Sequence, residues 1–154
     1  MEKKKIFLSE EEAVNLLPHR EKMALAKDVL ECIPGKYIMS KYVTTGDEWY
    51  YQGCFTDKPV MPHLILIEIL VQGGAIMMLA HEQFKGRLPV LLGLSEVKFG
   101  ADIHPGDVMR LEGHLLKLRG NIGIGNAYAY LDGELAASCV IKFALVDWAE
   151  IENL

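Results

Sequence analysis

Residues 63–84 read HLILIEILVQGGAIMMLAHEQF, and this stretch decides the fold. Apolar side chains occupy almost every position around the helical projection, which is typical of a helix that is buried on all sides. We therefore predict one long central helix from His63 to about Phe84. Gly73 and Gly74 each cost this helix about 1 kcal/mol relative to alanine. We expect that they let a sheet or a partner approach closely.

One carboxylate, Glu68, lies in the middle of this apolar helix. Gln72 follows four residues later, on the same helical face, and is a natural hydrogen-bond partner. An ionised carboxylate is costly to bury, so a buried carboxyl is normally hydrogen-bonded, protonated or functional. We interpret Glu68 as a candidate general acid. A simple solvent-facing role is disfavoured because residues 64–70 offer no polar face.

The start of the central helix is a second candidate feature. Pro62 suits the first helical position, which would leave the amide of His63 and the amides after it without helical acceptors. Such a positive helix end can hold a carbonyl oxygen as it becomes negative. Together with an acid and an apolar surrounding, it suits proton chemistry beside the carbonyl of an acyl thioester.

The remaining sequence predicts a short helix and several strands. Ser9 and Glu12 form a capping box that starts a helix over Glu10–Leu17, and Pro18 stops it. Turn residues separate the strand candidates, which are Met23–Ile33, Lys36–Val43, Tyr50–Phe55, Pro89–Phe99, Asp107–Arg119, Asn121–Leu131 and Glu134–Val146. We predict an α+β fold in a single domain over residues 1–154, with an antiparallel sheet wrapped around the helix.

Composition narrows the classes of function. The chain has 154 residues, 51% of them hydrophobic, and a net charge of −5, which argues against nucleic-acid binding. The spacing of Cys32, Cys54 and Cys139 matches neither a disulfide framework nor a metal site, so we predict neither. We predict that the protein lies in the reducing environment of the cytoplasm. Glu68 and Gln72 interrupt the longest apolar run, so we expect no membrane insertion.

Several motifs together resemble one family. They are the LLPHR segment at Leu16–Arg20, the QGCFTDKPVMP segment at Gln52–Pro62, Glu68, Gln72, and the turn at Pro105–Asp107. In this order and spacing, from about Leu16 to Leu145, the chain resembles the bacterial 3-hydroxyacyl-[acyl-carrier-protein] dehydratases of the FabZ type. The resemblance implies the hot-dog fold, no cofactor, and sheets joined edge to edge in a homodimer or in a hexamer built as a trimer of dimers.

The resemblance also implies a reaction and a set of residues. The family removes water from a 3-hydroxyacyl thioester in fatty acid biosynthesis, and the product is the trans-2-enoyl thioester. Glu68 matches the glutamate that protonates the departing hydroxyl, and a histidine from the opposite protomer takes the C2 proton. The amides of Gly53 and His63 would hold the thioester oxygen, with Phe55 and Gln72 also binding substrate.

The histidine of the family motif is replaced here by Cys54, and the glycine that opens the helix is replaced by His63. Three accounts follow. Cys54 could act as a base or nucleophile with a lowered pKa, His63 could supply the imidazole, or the site could be catalytically silent. For Cys54, a small buried apolar side chain is an equally good interpretation. The alternatives to a dehydratase are a silent acyl-binding paralog, alone or paired with an active one, and a hot-dog thioesterase.

The substrate carrier is a further open point. Family members usually place basic residues before the Pro105–Asp107 turn, but here residues 100–104 read GADIH. The partner is therefore either an acyl-carrier protein or a coenzyme A thioester, with Lys85, Arg87 and Lys98 as the cations that could compensate. His19, in the LLPHR segment, is expected to make a structural hydrogen bond rather than to take part in catalysis.

Overall fold

A computed structural model of the chain describes residues 4–53, 55 and 57–153. Cys54 lies outside the described residues. The described residues form three α-helices and seven β-strands: β1 (Ile6–Leu8), α1 (Glu10–Leu16), β2 (Val29–Ile33), β3 (Tyr37–Val43), α2 (His63–Leu79), β4 (Arg87–Phe99), β5 (Val108–Arg119), β6 (Ile122–Leu131), β7 (Glu134–Asp147) and α3 (Trp148–Glu152). The predicted capping box of α1 is present, with Ser9 and Glu12 each bonding the other's backbone amide.

The strands form one antiparallel sheet in the order β1-β2-β3-β5-β6-β7-β4. Side chains alternate on β6, where Gly123, Gly125, Ala127 and Ala129 are buried and the residues between them are more exposed. This inner face packs against α2, which contacts β3, β4, β5, β6 and β7. The arrangement is the predicted hot-dog fold, a sheet wrapped around one long helix.

Helix α2 is shorter than the sequence predicts. It ends at Leu79, Ala80 caps it, and a separate 3₁₀ turn follows at Glu82–Phe84. Pro62 is the N-cap rather than the first helical residue. The first turn is exposed, with Leu64 79% exposed, so the helix is buried on most sides only from Ile65 onward.

The prediction for Gly73 and Gly74 was wrong with respect to the sheet. A Cβ atom added at either position would have no neighbour within 4 Å among the described residues other than the adjoining residues and backbone of its own helix. Both glycines instead line a small cavity beside α2, and Gly74 also lines a second one, with volumes of about 20 and 40 Å³. The glycines therefore leave space along the helix instead of letting the sheet close on it.

Two of the strand predictions also need correction. The segment predicted as a strand over Tyr50–Phe55 contains a 3₁₀ turn at Trp49–Tyr51, closed by the Gln52 N–H on the Trp49 carbonyl. The strand predicted from Met23 begins only at Val29. Its first residues are held by a side chain of α2 instead of by a neighbouring strand, as described below. No helix in the described part of the chain is long and apolar enough to cross a membrane.

Candidate active site

Glu68 is half-buried on the central helix, with 31% of its side chain exposed. Its Oε1 accepts a hydrogen bond of 2.9 Å from Nε2 of Gln72, which is the bond that the helical spacing predicts. The carboxylate is therefore less buried in one chain than we expected from its apolar neighbours. It is nonetheless oriented by a defined donor.

Gln72 is almost completely buried and uses its whole amide within the protein. Its Oε1 accepts the N–H of Leu25 at 3.0 Å, and its Nε2 donates to the Met23 carbonyl at 2.8 Å as well as to Glu68. Both amide hydrogens are thus engaged. These bonds fasten the segment before β2 to the helix, which explains why this segment is not a strand.

His19 is the residue that the sequence analysis did not place in the site. Its Nε2 lies 3.4 Å from Oε1 of Glu68, and 30% of its side chain is exposed. The contact links two parts of the chain that no helical or strand period relates. The available signal was the position of His19 inside the LLPHR segment that carries the family resemblance.

His63 and Phe55 lie in a different place, at the N-terminus of α2. They share an open depression of about 880 Å³ with Lys58, Met61, Asp102 and neighbouring residues, which we call the entry depression. The His63 ring stacks on Phe99, with ring centroids 4.2 Å apart, and its Nε2 lies 3.6 Å from Oδ1 of Asp102. Phe55 is 74% exposed.

The described residues of one chain do not bring all the predicted site residues together. Glu68 is five residues after His63, which on an α-helix is about 140° around the axis and about 7.5 Å along it. Glu68 and Gln72 do not line the entry depression, and neither does the exposed Gly53. One chain therefore carries two separate groups of candidate residues, an acid cluster of Glu68, Gln72 and His19, and the entry depression.

Two of the motifs that carry the resemblance hold each other in place. The Met61 N–H donates to the Ile103 carbonyl at 2.8 Å, and Nδ1 of His104 lies 2.9 Å from the Pro59 carbonyl. Asp107 accepts the N–H of His104 at 2.7 Å. The loop before α2 is thus fixed by the segment that ends in the Pro105–Asp107 turn, which sets where the entry depression lies.

The described cysteines are not reactive groups. Cys32 and Cys139 are buried and free, and burial raises the pKa of each thiol to about 11. The described residues contain no group of three or more acidic, histidine or cysteine side chains placed to hold a metal ion. The predicted site roles all stay predictions, namely those of Glu68, Cys54, His63, Gly53, Phe55 and Gln72.

Comparison with known proteins places the chain in a family. The model of the FabA-like domain matches residues 17–139. A protein of Clostridium perfringens named 3-hydroxyacyl-[acyl-carrier-protein] dehydratase FabZ is 43% identical over 134 residues, which are 87% of this chain and 96% of that protein.

Two solved structures share the fold at low sequence identity. The dehydratase heterocomplex ApeI:P from Xenorhabdus doucetiae matches with a TM-score of 0.78 at 17% identity, covering 96% of this chain and 97% of that one. A thioesterase from Haemophilus influenzae matches with a TM-score of 0.66 at 12% identity, covering 92% of each chain. The match along most of the sequence confirms the predicted resemblance, and the chain belongs to the FabA-like domain family, together with the dehydratases named FabZ.

Proposed function

We propose that this protein is a dehydratase of fatty acid biosynthesis that removes water from a 3-hydroxyacyl thioester to give the trans-2-enoyl thioester. In this reaction a base takes the proton from C2, the C3–O bond breaks, and Glu68 gives its proton to the departing hydroxyl. The observation that carries the proposal is the placement of Glu68. It is the carboxylate held by Gln72 at the middle of the central helix, in a chain whose relatives named as dehydratases match along nearly their whole length.

The geometry of Glu68 supports a role as acid. Both of its described polar neighbours, Gln72 and His19, face Oε1. Oε2 has no hydrogen-bond partner among the described residues, so it is available to a substrate hydroxyl. A carboxyl that is fixed through one oxygen and free at the other can hold a proton in a defined direction.

The proposed active unit is a homodimer, because one chain separates the acid cluster from the entry depression. Strand β4 forms one edge of the sheet, opposite β1, and pairs only with β7 among the described strands. Long apolar edge strands are rarely left uncovered in stable proteins. Antiparallel pairing of β4 with a second copy would cover the apolar side chains that are now exposed, namely Val90, Leu91, Leu92, Leu94, Val97 and Phe99.

Two residues are candidates for the base, and the structure adds an argument for His63. Its Nε2 faces Asp102 at 3.6 Å, inside the entry depression. A carboxylate beside an imidazole orients the ring and stabilises its protonated form, as a general base requires. Cys54 matches the family histidine in position, so its variant is the necessary comparison. If His63 is the base, His63→Ala loses turnover while Cys54→Ser retains it, and the reverse result assigns the base to position 54.

The proposal is tested by following a short substrate, 3-hydroxybutyryl-CoA, and identifying its product. We expect crotonyl-CoA to form, with turnover abolished in Glu68→Ala and retained in Glu82→Ala, a matched change at an exposed glutamate. Release of free CoA thiol instead of the enoyl product would identify a thioesterase. A wild-type protein that is inert on both the CoA thioester and the corresponding acyl-carrier-protein thioester would contradict the dehydratase proposal.

A silent acyl-binding protein is the second candidate, and the departures from the family motif at Cys54 and His63 favour it. Loss of a general base lowers a rate by about 100-fold to 10,000-fold. If the site is silent for this reason, Cys54→His gains hydration of crotonyl-CoA while the wild type shows none. Acyl species that co-purify with the wild type, seen by mass spectrometry, would support acyl binding.

The carrier of the substrate is proposed to be an acyl-carrier protein or coenzyme A. The entry depression mixes Lys58 with Asp57 and Asp102, so it has no strongly basic surface for an acidic carrier protein. The two carriers are compared by measuring kcat/KM for the same acyl group on each. A preference for the carrier protein that falls with added salt would indicate electrostatic docking.

A further inference from the structure

Resting on the proposed function, we propose that His19 is a positioning residue for Glu68. In this role the Nε2–H of His19 donates to Oε1 of Glu68. Together with the bond from Gln72, it reserves Oε2 for the hydroxyl of the substrate. His19 does not touch the reacting atoms in this account, so its effect on the reaction passes through the carboxyl group of Glu68.

The first support is that two side-chain nitrogens approach the same carboxylate oxygen. Nε2 of Gln72 is 2.9 Å and Nε2 of His19 is 3.4 Å from the same Oε1 atom. The terminal torsion of a glutamate is soft and roughly two-fold, so a single donor leaves the carboxyl group free to exchange its two oxygens. A second donor from a different part of the chain removes this freedom.

The second support is the other nitrogen of the ring. Nδ1 of His19 is buried and has no hydrogen-bond partner among the described residues. A neutral imidazole carries one N–H, and a buried N–H without an acceptor is costly. The proton therefore belongs on Nε2, where it faces the carboxylate. Because water does not reach Nδ1, the ring is suited to hold Glu68 and not to pass protons to it.

The third support is the way in which the chain presents His19. Nη1 of Arg20 lies 3.2, 2.6 and 2.7 Å from the carbonyls of Val14, Leu17 and His19. These bonds satisfy carbonyls at the end of α1 and fix the turn that Pro18 begins. A few residues later, Gln72 holds the same segment through Met23 and Leu25. Hydrogen bonds from Arg20 and from Gln72 thus hold the segment that carries His19 against α2.

Three variants test this inference. At position 19, glutamine would place its side-chain amide nitrogen near the position of the histidine Nε2. Asparagine is one bond shorter and would place it near the position of Nδ1, and alanine has no side-chain donor. We expect His19→Gln to keep kcat within about threefold, and His19→Asn and His19→Ala to lose about tenfold or more, with KM changed less than kcat. Equal activities of the Gln and Asn variants, or an unchanged kcat in His19→Ala, would overturn the proposal.

A double variant separates this effect from general damage to the fold. If His19 acts through Glu68, His19→Ala has no further effect on the residual rate in a Glu68→Gln background. A full additional loss in that background would contradict the proposal.

A spectroscopic measurement keeps the inference testable even if the wild type proves inactive. Long-range ¹H–¹⁵N spectra should show the Nε2–H tautomer for His19, and Glu68→Gln should shift its Nε2 resonance more than the ring resonances of His104. An inactive protein with these spectra would overturn the proposed function alone. A His19 ring protonated on Nδ1, or insensitive to Glu68, would overturn the positioning role.

Discussion

At the scale of the residue, the proposed chemistry depends on the environment of one carboxyl group, that of Glu68. Glu68 and Gln72 could be predicted as a pair because the four-residue spacing of a helix fixes their contact. His19 could not, because its contact depends on the path of the loop after α1. That path is set by the hydrogen bonds from Arg20 to backbone carbonyls. No repeating pattern of residues in the sequence indicates such bonds.

Gln72→Leu should weaken both the fold and the site. The change leaves the buried N–H of Leu25 and the carbonyl of Met23 without their side-chain partner. We expect a loss of about 1–3 kcal/mol in the free energy of unfolding for each polar group that stays buried and unpaired. Urea denaturation measures this loss, and Gln83→Leu, at an exposed glutamine, is the control. Equal midpoints for the two variants would contradict the assigned role of Gln72.

The described cysteines should resist alkylation in the native protein. Burial raises the pKa of Cys32 and Cys139 to about 11, so at pH 8 their thiolate fraction is very small. Because burial favours the neutral thiol, the raised pKa lowers the free energy of unfolding as the pH rises from the ordinary thiol pKa toward 11. Mass spectrometry after iodoacetamide treatment should find both thiols unmodified until denaturant is added. Rapid native labelling of either would show that its burial is wrong.

At the scale of the element, patterns within a segment predicted most of the structure. The strands from β4 to β7 lie close to their predicted bounds because turn residues and alternation mark them locally. The segment from Met23 to Asp28 was predicted wrongly because the buried side-chain amide of Gln72, on α2, hydrogen-bonds to its backbone. The close approach of the sheet expected at Gly73 and Gly74 was wrong, because spacing within a helix does not determine the distance to the strands packed against it.

Gly73→Ala and Gly74→Ala should stabilise the protein. The added methyl groups meet no atom within 4 Å, and alanine is favoured over glycine in a helix by about 1 kcal/mol. For a chain of this size we expect a rise in Tm of about 2–4 °C for each change. Gly125→Ala is the contrast, because its Cβ would lie 2.7 Å from the His114 carbonyl oxygen and should lower the Tm. Lower Tm values for all three variants would mean that the space beside α2 is filled.

At the scale of the whole molecule, one chain keeps the candidate site residues apart and leaves an apolar sheet edge uncovered. The acid cluster and the entry depression are separated around α2, and β4 exposes apolar side chains along its length. No property of a single sequence fixes how two copies meet, so only the resemblance to the family suggested the assembly. The separation of the acid cluster from the entry depression is the physical reason to expect it.

The double variant Leu92→Lys and Leu94→Lys should disrupt the assembly. Two positive charges at the same edge would face two more on the partner, and the apolar contact would be lost. Light scattering should give a multiple of the 17.2 kDa chain for the wild type and a single chain for the variant. Leu116→Lys, at an exposed leucine away from this edge, should leave the mass unchanged. A wild type that is monomeric yet active would contradict the shared site.

The most direct measurement for the central claim is kcat for dehydration of 3-hydroxybutyryl-CoA by the wild type and by Glu68→Gln. Glutamine preserves the shape of the side chain and can still accept the bond from Gln72, but it has no acidic proton to give to the leaving hydroxyl. We predict that kcat falls by about 100-fold to 10,000-fold while Tm and oligomeric mass stay the same. A variant that dehydrates the substrate at the wild-type rate would show that Glu68 is not the acid.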